Sequence, residues 1–354
     1  MKNPGILFLN FGGPTGEAEL VPFLTSLLGD VLPGPLKGLA GFIAKRRARI
    51  VGPRYEGIGW STLIADSKAQ AEATVAAMGP QPLPWALGMM FSPPSVADGL
   101  RTLASAGCDG VIALGLFPHW SFATTGSAID MLHDAQREAG TRLPVHHVRA
   151  FFDHPRYVRA VANTIEDALA ALPGEGPAHL LFSAHGIPVS FVRKGDPYPD
   201  HVKATVRATL ADLSSRGWNG PSHLSWQSRV GPIRWLGPST PQAVEHLAKQ
   251  GVKRLVVVPV SFVSEHIETL DELDRELIPE AIEAGIPHVG RARALGTHPD
   301  FIATLAELAN EALTRFDVRL CARCLLPEPP ERRAVGTCKD CGFVRPRALR
   351  GSAA

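Results

Sequence analysis

His185 closes the run His179-Leu-Leu-Phe-Ser-Ala-His-Gly-Ile-Pro188, in which Leu180, Leu181 and Phe182 are apolar and Gly186 and Pro188 stop the pattern at once. A short apolar run bounded in this way reads as a buried parallel strand feeding a turn. It delivers His185 to the carboxyl edge of a sheet, where open α/β sheets bind their ligands. An imidazole titrates near neutral pH and can take or give a proton there. The plainer alternative is a satisfied polar residue in a loop.

Carboxylates gather in the same half. Glu265, Glu268 and Glu272 follow the apolar stretch Leu255 to Pro259 at i, i+3 and i+7, which sets three acids on one helix face with Ile267, Leu270 and Leu273 packed inward. A solvated acidic face is the ordinary explanation, and early acids suit the helix dipole. Beside a strand edge they would instead attract a divalent cation and raise one another's pKa, which suits proton transfer. His266 is expected on another face, in a structural or supporting role.

A third group is Cys321-Ala-Arg-Cys324 and Cys338-Lys-Asp-Cys341 near the end of the chain, two Cys-x-x-Cys pairs thirteen residues apart. Four thiolates in this pattern hold a metal, and by spacing alone tetrahedral Zn2+ leads. A [2Fe–2S] cluster also takes four cysteines. The fifth cysteine, Cys108, precedes an apolar run and reads as a structural thiol.

The elements that must position these residues follow from the rest of the chain. With 354 residues, two domains are expected. A hydrophobic fraction of 45%, a charged fraction of 20% and a net charge of +2 describe an ordinary globular protein with no basic stripe for nucleic acid. The chain opens directly into Gly5-Ile-Leu-Phe-Leu-Asn10, without a basic leader, and has no apolar run of roughly 18 residues, so a cytoplasmic protein that does not span a membrane is expected.

The chain also echoes itself. Leu7, Phe8, Gly12 and Pro14 recur as Leu181, Phe182, Gly186 and Pro188, an offset of 174 (185 − 11) that sets Phe11 in the place of His185. Leu103-Ala-Ser-Ala-Gly107 and Leu247-Ala-Lys-Gln-Gly251 repeat at an offset of 144, each reading as helix end, Gly cap and buried strand. Two echoes in the same order predict an α/β fold of two similar Rossmann-like domains with parallel sheets, with strands near residues 5–10, 85–90, 111–117, 180–184, 223–227 and 255–260. The expected division is 1–160, 161–295, a helix in 296–318 returning to the first domain, and a Cys-rich metal-binding tail in 319–354. The cleft between the domains is the default site.

Eight segments then carry a resemblance. They are Leu9-Asn-Phe-Gly-Gly-Pro14, Phe42-Ile-Ala-Lys-Arg-Arg47, Arg54-Tyr-Glu-Gly-Ile-Gly59, Phe117-Pro-His-Trp-Ser-Phe-Ala-Thr-Thr-Gly-Ser127, Phe182-Ser-Ala-His-Gly-Ile-Pro188, Gly195-Asp-Pro-Tyr-Pro199, Trp226-Gln-Ser-Arg-Val-Gly-Pro232 and Ser264-Glu-His-Ile-Glu-Thr-Leu270. In these the chain resembles the ferrochelatases, lyases that insert Fe2+ into a porphyrin in haem biosynthesis. The resemblance implies a porphyrin in the cleft and His185 and Glu268 as the catalytic pair, also meeting the substrate metal. It makes Glu265 and Glu272 an acidic path for metal or protons, and it places Phe11, Trp120 and Trp235 in the porphyrin pocket.

Some bacterial members that use coproporphyrin carry Tyr where this chain has Phe11, and the Asn-Phe-Gly-Gly-Pro form resembles the protoporphyrin-using type, so protoporphyrin IX is favoured over coproporphyrin III. Many members carry a [2Fe–2S] cluster at the C-terminal end. That sets the cluster ahead of Zn2+ for Cys321, Cys324, Cys338 and Cys341, although their spacing is not the usual one. Residues of about 20–50, with Lys45, Arg46, Arg47 and Arg49 after an apolar stretch, resemble the lip of the active-site mouth. On that likeness the lip is expected to touch the inner face of a membrane peripherally or to meet the porphyrin's propionates. Competing readings are a non-catalytic tetrapyrrole or metal carrier, and a cobalt chelatase of the same fold.

Overall fold

The computed structural model describes residues 2–315 apart from Pro33, Arg149 and Val230. Cys321, Cys324, Cys338 and Cys341 lie outside the described residues, as does the whole of the expected tail.

The first half runs β1 (Pro4–Asn10), α1 (Glu17–Val31), α2 (Ala40–Gly57), α3 (Leu63–Ala77), β2 (Trp85–Met89), α4 (Val96–Ser105), β3 (Gly110–Gly115), α5 (Ser127–Glu138) and β4 (Val145–Val148). The second runs α6 (Pro155–Ala171), β5 (His179–His185), α7 (Val189–Arg193), α8 (Tyr198–Ser215), β6 (Ser222–Gln227), α9 (Thr240–Lys249) and β7 (Arg254–Val258). A π-helix, Ile267–Leu277, then runs into α10 (Ile278–Glu283), followed by β8 (His288–Arg291) and α11 (Pro299–Arg315). The strands form two four-stranded parallel sheets ordered β2-β1-β3-β4 and β6-β5-β7-β8.

The central strands are apolar throughout because helices cover both faces of a parallel sheet, leaving no side for water. All six residues of β3 are buried, as are Leu180 to Ala184 of β5. Both echoed helix ends close alike. Gly107 and Gly251 take positive φ (76° and 79°), and Cys108 N–H and Val252 N–H reach back to the carbonyls of Leu103 and Leu247. This six-to-one hydrogen bond needs a left-handed residue, which glycine supplies without steric cost. Cys108 is a buried free thiol, and a side chain at Gly5 would collide with its Sγ.

The six expected strands are present, and each sheet gains one more. β4 (Val-His-His-Val) and β8 (His-Val-Gly-Arg) are four-residue edge strands whose polar content hid them from an apolar-run criterion. The segment 20–50 is divided, not uniformly exposed: α1 buries Leu20, Phe23 and Leu24, whereas Val31, Leu36, Leu39, Phe42 and Ile50 face solvent. No helix among the described residues is long and apolar enough to cross a membrane. α11 packs against α3 and α6 and against β3 and β4.

Candidate active site at the carboxyl edge of the second sheet

His185 is the last residue of β5 and pairs in register with Gln227, the last residue of β6. A side chain at Gly186 would strike the Gln227 carbonyl and rest against the Trp235 ring, so the chain turns away from the sheet through a glycine. His185 Nδ1 lies 2.6 Å from the Gly186 carbonyl oxygen. A carbonyl only accepts, so Nδ1 carries the proton and the lone pair of the neutral ring sits on Nε2. The imidazole is thus presented as a base through one defined nitrogen.

The carboxylates arrive on the π-helix. Its i→i+5 bonding is rare and concentrates at functional sites. The geometry corrects the expected acidic face. Glu265 precedes the helix, which starts at Ile267, and its Oε1 accepts from Arg291 Nη1 (2.9 Å) and from the Ala294 N–H (2.9 Å). Although burial favours its neutral acid, Arg291 holds Glu265 ionised. Inward positions are Thr269, Leu273 and Leu277, so Leu273 packs as expected while Ile267 and Leu270 are only partly buried.

His266 also departs from expectation. Instead of pointing away, it N-caps the π-helix and lies 2.5 Å from Glu268 Oε2 through Nδ1. Burial opposes a charged ring, but Glu268, Glu265 and Glu272 outweigh it and raise the His266 pKa. The same pair acts on Glu268: burial pushes its pKa up, the His266 cation pulls it further down, and the result is about 2. Glu268 is therefore a standing carboxylate, with 27% of its side chain accessible.

Glu272 has the opposite character. Burial and the neighbouring Glu268 charge raise its pKa, against hydrogen bonds from Ser228 Oγ (2.5 Å) and Gln227 Nε2 (3.1 Å). Gln227 is oriented unambiguously, since its Oε1 accepts from Ser183 Oγ (2.7 Å) while Nε2 also donates to the Glu268 carbonyl (2.8 Å). Ser228 holds φ at 62°, a conformation that costs an L-residue energy and clusters at functional sites. A proton on His185 would lower the pKa of both Glu268 and Glu272, and the rings of His185, Phe262 and His266 succeed one another at centroid spacings of 6.3 and 4.8 Å. An ionised carboxylate and a second carboxyl of raised pKa beside an imidazole can attract a cation and pass protons in steps.

The aromatic candidates are placed differently. Phe11 sits at the end of β1, packed edge-on against Phe91 (4.6 Å) and Phe23 (6.4 Å). Trp120 packs edge-on against Phe122, and its indole Nε1 is buried with no partner among the described residues. Trp235 lies on the β6–α9 connection, bridged to Pro188 and seated against Gly186 beside His185. The structure thus brings His185, Glu268, Glu272 and Trp235 together at one sheet edge and sets Phe11 and Trp120 on first-half segments.

Residues that no local pattern announced are Gln227, Ser228, Tyr198, Ser261 and Arg54. All of these but Ser261 fall within segments that carried the family resemblance. Arg54, at the end of α2, forms ion pairs with Asp271 and with Glu276 (2.8 Å) and ties the lip to the π-helix.

Two parallel sheets of identical order, with a histidine and an acidic helix at one edge, define a chelatase-type architecture. Solved structures with this fold include SirB from Bacillus subtilis with Fe3+ (TM-score 0.56, 12% identity, 90% of this chain and 98% of that one). The sirohydrochlorin chelatase SirB from Bacillus subtilis subspecies spizizenii in complex with cobalt is similar as well (TM-score 0.54, 12% identity, 90% and 98% covered). The ferrochelatase family profile matches residues 3–313. A ferrochelatase from Geotalea uraniireducens is 40% identical over 88% of this chain and 99% of its own length, and one from Synechococcus sp. RCC307 is 36% identical over 92% and 87%. The chain belongs to the ferrochelatase family, whose members are metal-inserting lyases.

Proposed function

We propose that the chain inserts Fe2+ into a porphyrin at the carboxyl edge of the second sheet, with protoporphyrin IX preferred. The reading rests on one observation above all: with Nδ1 bonded to the Gly186 carbonyl, His185 leaves Nε2 for proton transfer beside an ionised Glu268 and a Glu272 whose pKa burial and the Glu268 charge raise. A porphyrin must lose two pyrrole protons as the metal enters. Binding a ruffled macrocycle more tightly than a flat one exposes the nitrogen lone pairs and lowers the barrier. Phe11, Trp120 and Trp235 would supply the apolar walls, and the Trp120 indole N–H a donor.

His185 Nε2 accepts the first pyrrole proton and hands it on by way of Glu272 to solvent, which frees Nε2 to take the second. Glu268, held ionised by His266, draws in the ferrous ion and offsets its charge. Glu272 exchanges protons with solvent, because an arriving cation lowers its pKa and the departing product lets it rise again. Glu265, neutralised by Arg291, shapes the entrance to this path instead of joining the transfer.

Three finer assignments belong to the same proposal. The two domains divide near residue 160, with α11 returning to the first. Exposed Phe42 (73%) and Ile50 (68%), with Lys45, Arg46 and Arg49 on the same helix, form a lip suited to peripheral contact with an anionic membrane. Cys321, Cys324, Cys338 and Cys341 hold a [2Fe–2S] cluster, with structural Zn2+ as the alternative that the same four thiolates fit. A colourless anaerobic preparation binding one zinc would decide for the alternative.

The test is oxygen-free incubation with ferrous iron and either protoporphyrin IX or coproporphyrin III, following loss of porphyrin fluorescence. Faster loss with protoporphyrin is expected. Turnover with coproporphyrin alone would reverse the preference, and binding without turnover of either would leave a tetrapyrrole carrier.

A further inference from the structure

Between β5 and α8 the chain passes through Asp196-Pro-Tyr198, and this short segment has one end on each wall of the site. Tyr198 is buried, and its hydroxyl donates to the His185 carbonyl (3.0 Å) while sharing a 2.6 Å hydrogen bond with Ser261 Oγ. Ser261 Oγ in turn accepts from the His185 N–H (3.3 Å). With Ser261 donating to Tyr198, the three bonds close a ring around the peptide groups on both sides of His185, and each polar atom is satisfied. Both of their hydrogen bonds to His185 are made to its backbone.

Asp196 faces the other way. Its buried carboxylate accepts from Ser121 Oγ (2.9 Å) and the Phe122 N–H (2.8 Å), both next to Trp120 on the first half, and from the Tyr198 N–H (3.0 Å). One turn into α8, His201 Nδ1 accepts from the Trp120 N–H (3.2 Å). Hydrogen bonds to an ionised acceptor are the stronger kind, so the Asp196 end is firm.

We propose that Asp196 and Tyr198 form a two-ended brace that fixes the position of the His185 imidazole relative to the Trp120 wall, making them positioning residues for metal insertion. The proposal rests on the porphyrin site described above. A displacement of about 1 Å between a bound substrate and a catalytic group can cost on the order of a hundredfold in rate, so a rigid link between the walls acts on catalysis without meeting substrate.

The test uses full-length Tyr198→Phe, Asp196→Asn and the double variant. Readouts are kcat and KM for iron insertion, porphyrin affinity by fluorescence without metal, and the His185 ring resonances by NMR. Tyr198→Phe should lower kcat about tenfold with porphyrin KM and affinity within twofold, and should broaden the His185 resonances. Asp196→Asn should weaken porphyrin binding severalfold and lower kcat severalfold as well. Because both act through one link, the double variant should fall well short of the product of the two kcat losses. Ser261→Ala opens the same ring from the other side and replaces Tyr198→Phe if that protein does not fold. Unchanged kcat in the ring variants, or strictly multiplicative losses, would overturn the brace. Wild-type protein without turnover would instead sink the porphyrin-insertion reading, while the His185 resonances still decide the brace.

Discussion

The two halves share a scaffold and differ in what was added to it. Their sheets have the same strand order, and helices α4 and α9 begin with matching capping boxes, Ser95 with Asp98 and Ser239 with Gln242, at one offset (239 − 95 and 242 − 98, both 144). Met89 and Trp226 each donate to the proline carbonyl before the capping serine and bridge to that serine. Between the ends of the first two strands, however, the first half spends 79 residues (89 − 10) and the second 42 (227 − 185), the excess being α1 and α2 with the lip. From strand to capping serine the order reverses, 6 residues (95 − 89) against 13 (239 − 226). The longer connection carries Gln227, Ser228 and Trp235, which hold Glu272 and flank His185. Scaffold was duplicated; the chemistry sits in the unequal connections, as is usual for loops on a rigid frame.

Corresponding positions show the same division. Phe11 stands where the second half has His185. After β3 the chain forms a one-turn π segment, Phe122–Gly126, carrying Thr124 and Thr125, whereas after β7 it forms the long π-helix with Glu268 and Glu272. One wall is apolar and neutral, the other titratable.

The sharpest way to break that comparison is to neutralise each π segment. Glu268→Gln should slow iron insertion on the order of a hundredfold, while Thr124→Val in the first half should stay within twofold; equal losses in steady-state assays would erase the distinction. Removing the support gives less: His266→Asn leaves Glu268 without its cation, and insertion should fall about tenfold with the fold retained by circular dichroism.

A third test uses His119, which burial holds neutral with its pKa pushed down to about 3. Below the ordinary histidine value of roughly 6.5, the unfolded chain takes up a proton that the folded chain refuses, so stability drops as pH falls from there toward 3. His119→Gln should lose fewer degrees of melting temperature between pH 7.5 and 5.0 than wild type. An identical drop would mean that this ring is not a fixed neutral part of the first wall. Smallest of all, Ser95→Ala and Ser239→Ala should each cost about 1 kcal/mol in denaturant unfolding. Clearly unequal costs would argue against a shared scaffold.

Much of the scaffold was legible because parallel strands are continuous apolar runs and Gly107 and Gly251 mark the helix ends. Strands β4 and β8 were not, since two histidines in one and a histidine and an arginine in the other break the run. The π-helix was hidden as well: Glu268, Glu272 and their neighbours satisfy α-helical spacing equally well, so nothing local reveals that Glu265 falls outside it or that His266 turns back on Glu268. His185 could be placed at a sheet edge from its own segment. Its partners Tyr198 and Ser261, and the hold of Gln227 and Ser228 on Glu272, depend on contacts between residues far apart in the chain, which no window of sequence contains.

The central claim is that the second half supplies the proton acceptor and the first half an inert wall. It is tested most directly by measuring, on one preparation of His185→Ala, both porphyrin binding and anaerobic ferrous-iron insertion. Porphyrin affinity within a few-fold of wild type, with insertion slowed at least on the order of a hundredfold, is the predicted result. A folded His185→Ala protein that inserts iron at a near-normal rate would contradict it.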